Sequence, residues 1–128
     1  MRELLAVAAG GAVGALGRYW LSTVVQRLAG SGFPLGTLTV NVLGCFLLAM
    51  LAHVSTATEL ISPELRIALA VGLLGAFTTF STFGYETMKY AEDGVWHLAL
   101  GNVAANLVLG LVAVWGGFAV ARYVFGGA

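Results

Sequence analysis

Hydroxyl and phenyl side chains are concentrated in one short run, residues 78–83, which reads TTFSTF. Its four hydroxyl groups can donate hydrogen bonds to an anion or satisfy the backbone of a distorted helix. Phe80 and Phe83 are spaced i, i+3 and would share one face of a helix. The flanking chain is largely apolar, so the run is expected at membrane depth, where each polar group needs a partner.

Three asparagines place further amide groups in apolar segments. Asn41 follows a predicted helix start, and Asn102 and Asn106 are spaced i, i+4. One interpretation is hydrogen bonding between helices, which contributes about 0.6 kcal/mol per bond on average. The other is a polar track of neutral donors, which suits a small anion that must shed water without being trapped by a full charge. The residues alone leave both interpretations open.

Two charged side chains, Arg18 and Glu86, are expected near membrane depth. An intramembrane charge is a functional hypothesis by default. Arg18 could attract anions at a vestibule or pair with backbone carbonyls, and Glu86 could face an aqueous mouth. His53 and His97 lie near the ends of apolar stretches, where an imidazole is ordinary, and they are assigned no role.

The composition predicts an integral membrane protein. Of 128 residues, 59% are hydrophobic and only 9% are charged, whereas a soluble domain has about a quarter charged residues. The formal net charge is zero and the basic residues are scattered, which argues against nucleic-acid binding. Cys45 is the single cysteine, so an intrachain disulfide and a cysteine-based metal cluster are excluded. Enzyme motifs such as HExxH or a Walker loop are missing, and the chain is predicted not to be an enzyme.

Hydropathy predicts one all-α transmembrane domain, residues 1–128, because a span needs roughly 20 apolar residues. Its four spans are expected at about residues 4–25, 36–54, 63–90 and 95–124. Ser62 and Pro63 form a typical helix start. The small residues Gly10, Gly14 and Gly17 indicate close helix packing or close approach to a ligand.

The third span is the unusual one. Hydroxyl and β-branched residues in the run 78–83 weaken a helix, and a break is tolerated only where its freed backbone groups find protein, water or an ion. Broken helices often mark an ion or substrate site. The alternative is a continuous helix whose hydroxyls bond to their own i−4 carbonyls.

Basic residues are nearly balanced between the two membrane sides. Arg2, Arg66 and Arg122 are expected on one side, and Arg27 and Lys89 on the other. Three against two is a weak positive-inside bias, so the chain could insert both ways. Two oppositely oriented copies could then form a C₂ dimer, the commonest closed assembly.

Three motifs in order are similar to those of a known family. They are GGAVGALGRYW at residues 10–20, PLGTLTVNVLGCF at residues 34–46 and GLLGAFTTFSTFGYE at residues 72–86. On these motifs the chain resembles the Fluc (CrcB) fluoride channel family over nearly its whole length. The resemblance implies an antiparallel, dual-topology homodimer in the bacterial inner membrane, with two pores for passive and selective fluoride export. It also implies a structural sodium ion at the dimer centre.

The resemblance also implies roles for individual residues. Main-chain carbonyls of Gly75 and Thr78 would bind the sodium ion, and Asn41 would donate its amide to fluoride. The other pathway and vestibule positions that it implies are Phe80 and Phe83 as pore-lining rings, Ser81 and Thr82 near the pore or the break, Asn102 and Asn106 in a fourth-span track, and Arg18 and Glu86 at the vestibules. Two departures are Ala76, where the family often has a second glycine, and the two fourth-span asparagines, where many relatives have Tyr followed by Ser.

The residues are also compatible with two rival functions. A small four-helix multidrug/proton antiporter has similar size, but that class needs a membrane-embedded carboxylate in the first span. This span has Arg18 and no acid beyond Glu3 at its entrance. The second rival is a structural or assembly subunit with no transport activity.

Overall fold

The computed structural model describes residues 1–127, and Ala128, the last residue of the predicted domain, lies outside the described residues. All regular elements in this range are helical. They are α1 (Arg2–Ala29), α2 (Leu35–Ala57), α3 (Pro63–Ile67), a π-helical segment (Ala68–Leu74), α4 (Gly75–Phe77), α5 (Phe80–Glu92) and α6 (Trp96–Phe125). The elements from Pro63 to Glu92 together form the third span.

Four helical stretches are long and apolar enough to cross a membrane, which confirms the prediction of a multi-pass, all-α membrane protein. Two of the helix ends have clear local sequence signals. Gly30 ends α1 in the left-handed conformation at φ 56°, which glycine adopts without a Cβ penalty. Ser62 caps α3 by accepting a hydrogen bond from the amide of Leu65 at 3.2 Å, and Pro63 occupies the first turn, as predicted.

Two of the helix–helix contacts are the most extensive. The second helix, α2, lies along α6, and α1 lies along the π-helical segment. At the α1 contact, a Cβ added to Gly10 or Gly14 would collide with the backbone of Ala68 or Leu73, respectively. These two glycines therefore serve close helix packing, the first of the two interpretations of the small-residue stripe.

The third span is interrupted near its middle. Thr78 and Thr79 are extended, at φ −86°, ψ 159° and φ −149°, ψ 111°, and helical geometry resumes at Phe80. The alternative of a continuous helix is therefore wrong. A π-helical segment immediately before the break is a further departure from α-helical geometry, and such segments are frequent at functional sites.

Candidate ion pathway at the helix break

Thr79 begins the second half of the third span. Its hydroxyl oxygen accepts a hydrogen bond from the amide of Thr82 at 3.2 Å, the usual arrangement of a helix N-cap. The hydroxyl also lies 3.0 Å from that of Thr82 and 3.3 Å from that of Ser81. The hydroxyls of the run 79–82 thus form a cluster at the first turn of α5, and they help to satisfy its unpaired backbone groups.

Asn41, on α2, pairs with the interrupted backbone. The amide of Thr79 donates to Asn41 Oδ1 at 2.8 Å, and Asn41 Nδ2 donates to the Thr79 carbonyl at 3.2 Å. One side chain therefore pairs with both backbone groups of Thr79, and it replaces the helical acceptor that the Thr79 amide loses at the break. Because unsatisfied backbone groups are costly away from water, this pairing stabilises the break.

The break separates the main-chain carbonyls of residues 75–78 from their i+4 amide donors, and Gly75 and Thr78 are the first and last of these. In a continuous helix, Gly75 would accept from the amide of Thr79, and Thr78 would accept from that of Thr82. Here Thr79 donates to Asn41 Oδ1 and Thr82 donates to the Thr79 hydroxyl. The Gly75 and Thr78 carbonyls therefore lack these helical donors, and the sodium role that the family resemblance implies for them stays a prediction.

A groove of about 470 Å³ runs beside the break. It is open on one side of the single chain, and Phe80 is 82% exposed along it. The Phe80 and Phe83 rings meet edge to face, with centroids 5.4 Å apart. The groove brings together six of the predicted site residues: Asn41, Gly75, Thr78, Phe80, Phe83 and Asn106.

The asparagines form one connected set of hydrogen bonds. Asn41 Nδ2 donates to Asn106 Oδ1 at 3.0 Å. Asn106 Nδ2 in turn donates to the carbonyl and to Oδ1 of Asn102 at 3.0 and 2.9 Å. Asn102 Nδ2 donates to Thr87 Oγ1 at 3.0 Å. Asn41 and Asn106 therefore line the groove and also form a hydrogen bond between α2 and α6. Hydrogen bonding between helices and a polar track are thus compatible interpretations of these two residues.

A second polar region lies beyond the groove, between α1, α2 and α5. Glu86 lines a cavity of about 520 Å³, and Arg18 lines a neighbouring one of about 260 Å³. Both cavities are also lined by Thr37 and Thr82. The Thr37 hydroxyl donates to Glu86 Oε1 at 2.7 Å, whereas Glu86 Oε2 is buried without a hydrogen-bond partner among the described residues. Arg18 and Glu86 thus line adjoining cavities, and neither side chain lines the groove.

Sequence reasoning missed the separate roles of Thr79, Thr87 and Thr37. Thr79 had a recognisable signal, because a threonine three residues before Thr82 can cap a helix. Thr87 and Thr37 had none, since their partners Asn102 and Glu86 are distant in sequence. No group of three His, Cys, Asp or Glu residues that could hold a metal ion occurs within residues 1–127.

Comparison with known proteins shows the family. Residues 5–118 match the family described as "CrcB-like protein, Camphor Resistance (CrcB)". Among similar curated proteins, the "Fluoride-specific ion channel FluC" of Geobacter sulfurreducens is 50% identical over 95% of this chain and 98% of its own length. The proteins of the same name from Geobacter metallireducens and Geotalea daltonii are 47% and 43% identical over 97% of this chain and all of theirs. These relatives are named as channels and not as enzymes, in agreement with the prediction, and the chain belongs to the CrcB family.

Proposed function

We propose that this protein is a passive, selective fluoride channel that exports fluoride across the bacterial inner membrane. The observation that carries the proposal is the groove at the helix break, where phenyl edges and amide groups from separate helices meet. The names of the curated relatives support the choice of fluoride.

Fluoride is small and strongly hydrated, so a pore must replace its water with several donors along a narrow path. The rings of Phe80 and Phe83 and the amides of Asn41 and Asn106 line the proposed pathway. Asn102 lies behind Asn106, and the hydroxyls of Ser81 and Thr82 lie at the first turn of α5. The Nδ2 protons of Asn41 and Asn106 are used in hydrogen bonds within the chain, so a fluoride ion would take the place of one of their acceptors. A phenyl edge is electropositive and attracts an anion, whereas its face repels one. Rigid ring edges also narrow the path and thereby disfavour the larger chloride ion.

Two antiparallel copies would complete the pathway. In one chain the groove is open and Phe80 is largely exposed, so a second copy is needed to enclose an ion. The near balance of Arg2, Arg66 and Arg122 against Arg27 and Lys89 supports insertion in both orientations. A C₂ dimer of such copies would contain two equivalent grooves and hence two pores.

A sodium ion at the dimer centre fits the freed carbonyls of Gly75 and Thr78. Their usual amide donors are diverted to side-chain oxygens, and hard cations prefer oxygen ligands. Such an ion would hold the two breaks together and would not travel through the pores.

Arg18 and Glu86 would act at the aqueous vestibules. They line neighbouring polar cavities on one side of the break, where a cationic guanidinium raises the local concentration of anions. The Thr37 hydroxyl, which donates to Glu86 Oε1 at 2.7 Å, would hold the carboxylate in place beside these cavities.

Reconstitution into liposomes tests the function. Purified protein is expected to release trapped fluoride rapidly without a proton gradient, and to release chloride far more slowly, as followed by ion-selective electrodes. Protein-free liposomes give the background leak. Proton-coupled drug movement would favour the multidrug antiporter, and no transport of any kind would favour a structural subunit.

A further inference from the structure

The side chains of Asn41, Asn106, Asn102 and Thr87, here called the amide relay, connect the helix break to the second turn of α5. The relay starts at Thr79, which pairs with Asn41, and it ends where the Thr87 hydroxyl donates to the Phe83 carbonyl at 2.8 Å. The relay therefore leaves α5 at the break, crosses α2 and α6, and returns to the same helix at Thr87, about two turns later.

Asn102 is the buried member of the relay. It is completely buried, at 0% exposure, and it is not among the residues that line the groove. Asn41 and Asn106, by contrast, line the groove directly. In this structure Asn102 thus reaches an ion in the groove only through its neighbours.

The relay has a single direction of donation. The hydroxyl proton of Thr87 goes to the Phe83 carbonyl, so Thr87 Oγ1 can only accept from Asn102. Asn102 must then present Nδ2 to Thr87 and its oxygen atoms to Asn106.

The remaining amides follow from that choice. Asn106 donates both Nδ2 protons to Asn102, which turns its Oδ1 towards Asn41. Asn41 then donates through Nδ2 and keeps Oδ1 for the amide of Thr79. Reversing any one amide would bring two donors or two acceptors together, so no amide can reverse alone.

We propose that Asn102 and Thr87 are positioning residues: through the amide relay they fix the orientation of Asn41 and hence the backbone conformation at Thr79. This inference rests on the proposed function, since the break that they support is the centre of the proposed fluoride pathway. Asn102 would then support the groove-lining side chains of Asn106 and Asn41 without itself lining the groove.

Matched variants separate this role from general packing. Thr87→Val removes the hydroxyl at nearly constant shape, and Thr87→Ser restores it. Thr39→Val is the control, because the Thr39 hydroxyl also donates to an i−4 carbonyl, that of Leu35 at 2.7 Å, but has no place in the relay. Asn102→Leu breaks the relay at its buried member and keeps a similar volume.

Hydrogen exchange at the Thr79 amide is the primary measurement, made by mass spectrometry on protein in lipid nanodiscs. Thr87→Val and Asn102→Leu are each expected to raise the exchange rate at Thr79 by at least about tenfold. The double variant is expected to match the single ones, because both break the same relay. Thr87→Ser and Thr39→Val are expected to exchange as the wild type does.

The liposome assay is run on the same samples and separates the two claims. Wild-type protein that conducts fluoride, with unchanged Thr79 exchange in Thr87→Val and Asn102→Leu, would overturn the relay and leave the channel intact. Silent wild-type protein would overturn the proposed function, while the exchange rates still report on the relay. If Asn102→Leu fails to assemble, the comparison of Thr87→Val with Thr87→Ser tests the relay without it. An equal increase in Thr79 exchange in both Thr87 variants would overturn the role of the hydroxyl.

Discussion

Phe80 and Phe83 meet edge to face beside the helix break, and Phe80 is largely uncovered in a single chain. This exposure leaves a ring edge free to form part of a pore wall. The geometry is therefore compatible with the proposed anion contact, which requires an accessible edge and not a face.

Replacement of either phenylalanine by isoleucine tests this contact. Phe80→Ile and Phe83→Ile are each expected to lower fluoride flux in liposomes by at least about tenfold, because an aliphatic side chain has no electropositive edge. The elution volume on size-exclusion chromatography should stay unchanged, since the volume of the side chain is roughly kept. Full flux in both variants would remove the rings from the pathway.

The Asn41 side chain makes three hydrogen bonds at the site, two with the backbone of Thr79 and one with Asn106. In Asn41→Asp the new carboxylate would face two acceptors, the Thr79 carbonyl and Asn106 Oδ1, at the present donor distances of 3.2 and 3.0 Å. We expect conduction to be abolished and the free energy of unfolding to fall by about 1–3 kcal/mol, the usual cost of an unsatisfied buried polar group. Flux assays and thermal unfolding measure the two effects, with Thr39→Val as a control on the same helix. Conduction at the wild-type level would show that no donor is needed at Asn41.

At the scale of elements, the break is held between two close helix contacts. On one side, α1 packs against the π-helical segment through Gly10 and Gly14. On the other, a Cβ added to Gly44 of α2 would collide with the side-chain methyl group of Thr78. The interruption is thus supported by its neighbours, and it does not depend on the weak helix propensity of the run 78–83 alone.

Two glycines of α1 provide a matched test of this support. Gly14→Ala would push a methyl group into the backbone of Leu73, and we expect it to destabilise the protein by about 1–3 kcal/mol. Gly11→Ala lies in the same helix, where the nearest atom to an added Cβ is 3.9 Å away. It should be neutral or stabilising by up to about 1 kcal/mol, because alanine favours a helix. Equal thermal stabilities in detergent would contradict the proposed role of the close contact.

At the scale of the whole molecule, one chain forms only part of the proposed channel. Its groove has one open side, and the carbonyls of Gly75 and Thr78 at the break lack their helical donors. Both features would be satisfied by a second, antiparallel copy with a sodium ion between the breaks.

Sodium removal tests this assembly directly. Replacing sodium by N-methylglucamine at constant ionic strength is expected to lower the dimer fraction, measured by single-molecule photobleaching in nanodiscs, and to reduce fluoride flux. Returning sodium should restore both. A stable, conducting dimer in the absence of sodium would exclude a structural role for the ion.

Local patterns were sufficient to predict the four apolar spans, the Ser62 cap and the weakness of the third span, because hydropathy, capping and helix propensity act within a few neighbouring residues. The motifs also assigned the family. The break itself was left undecided by the sequence, since hydroxyls can bond within a continuous helix or cap a new one. Tertiary structure decided it: Asn41 pairs with Thr79 across 38 positions and with Asn106 across 65. Only packed helices bring such groups together, and their hydrogen bonds make an interrupted backbone stable at membrane depth.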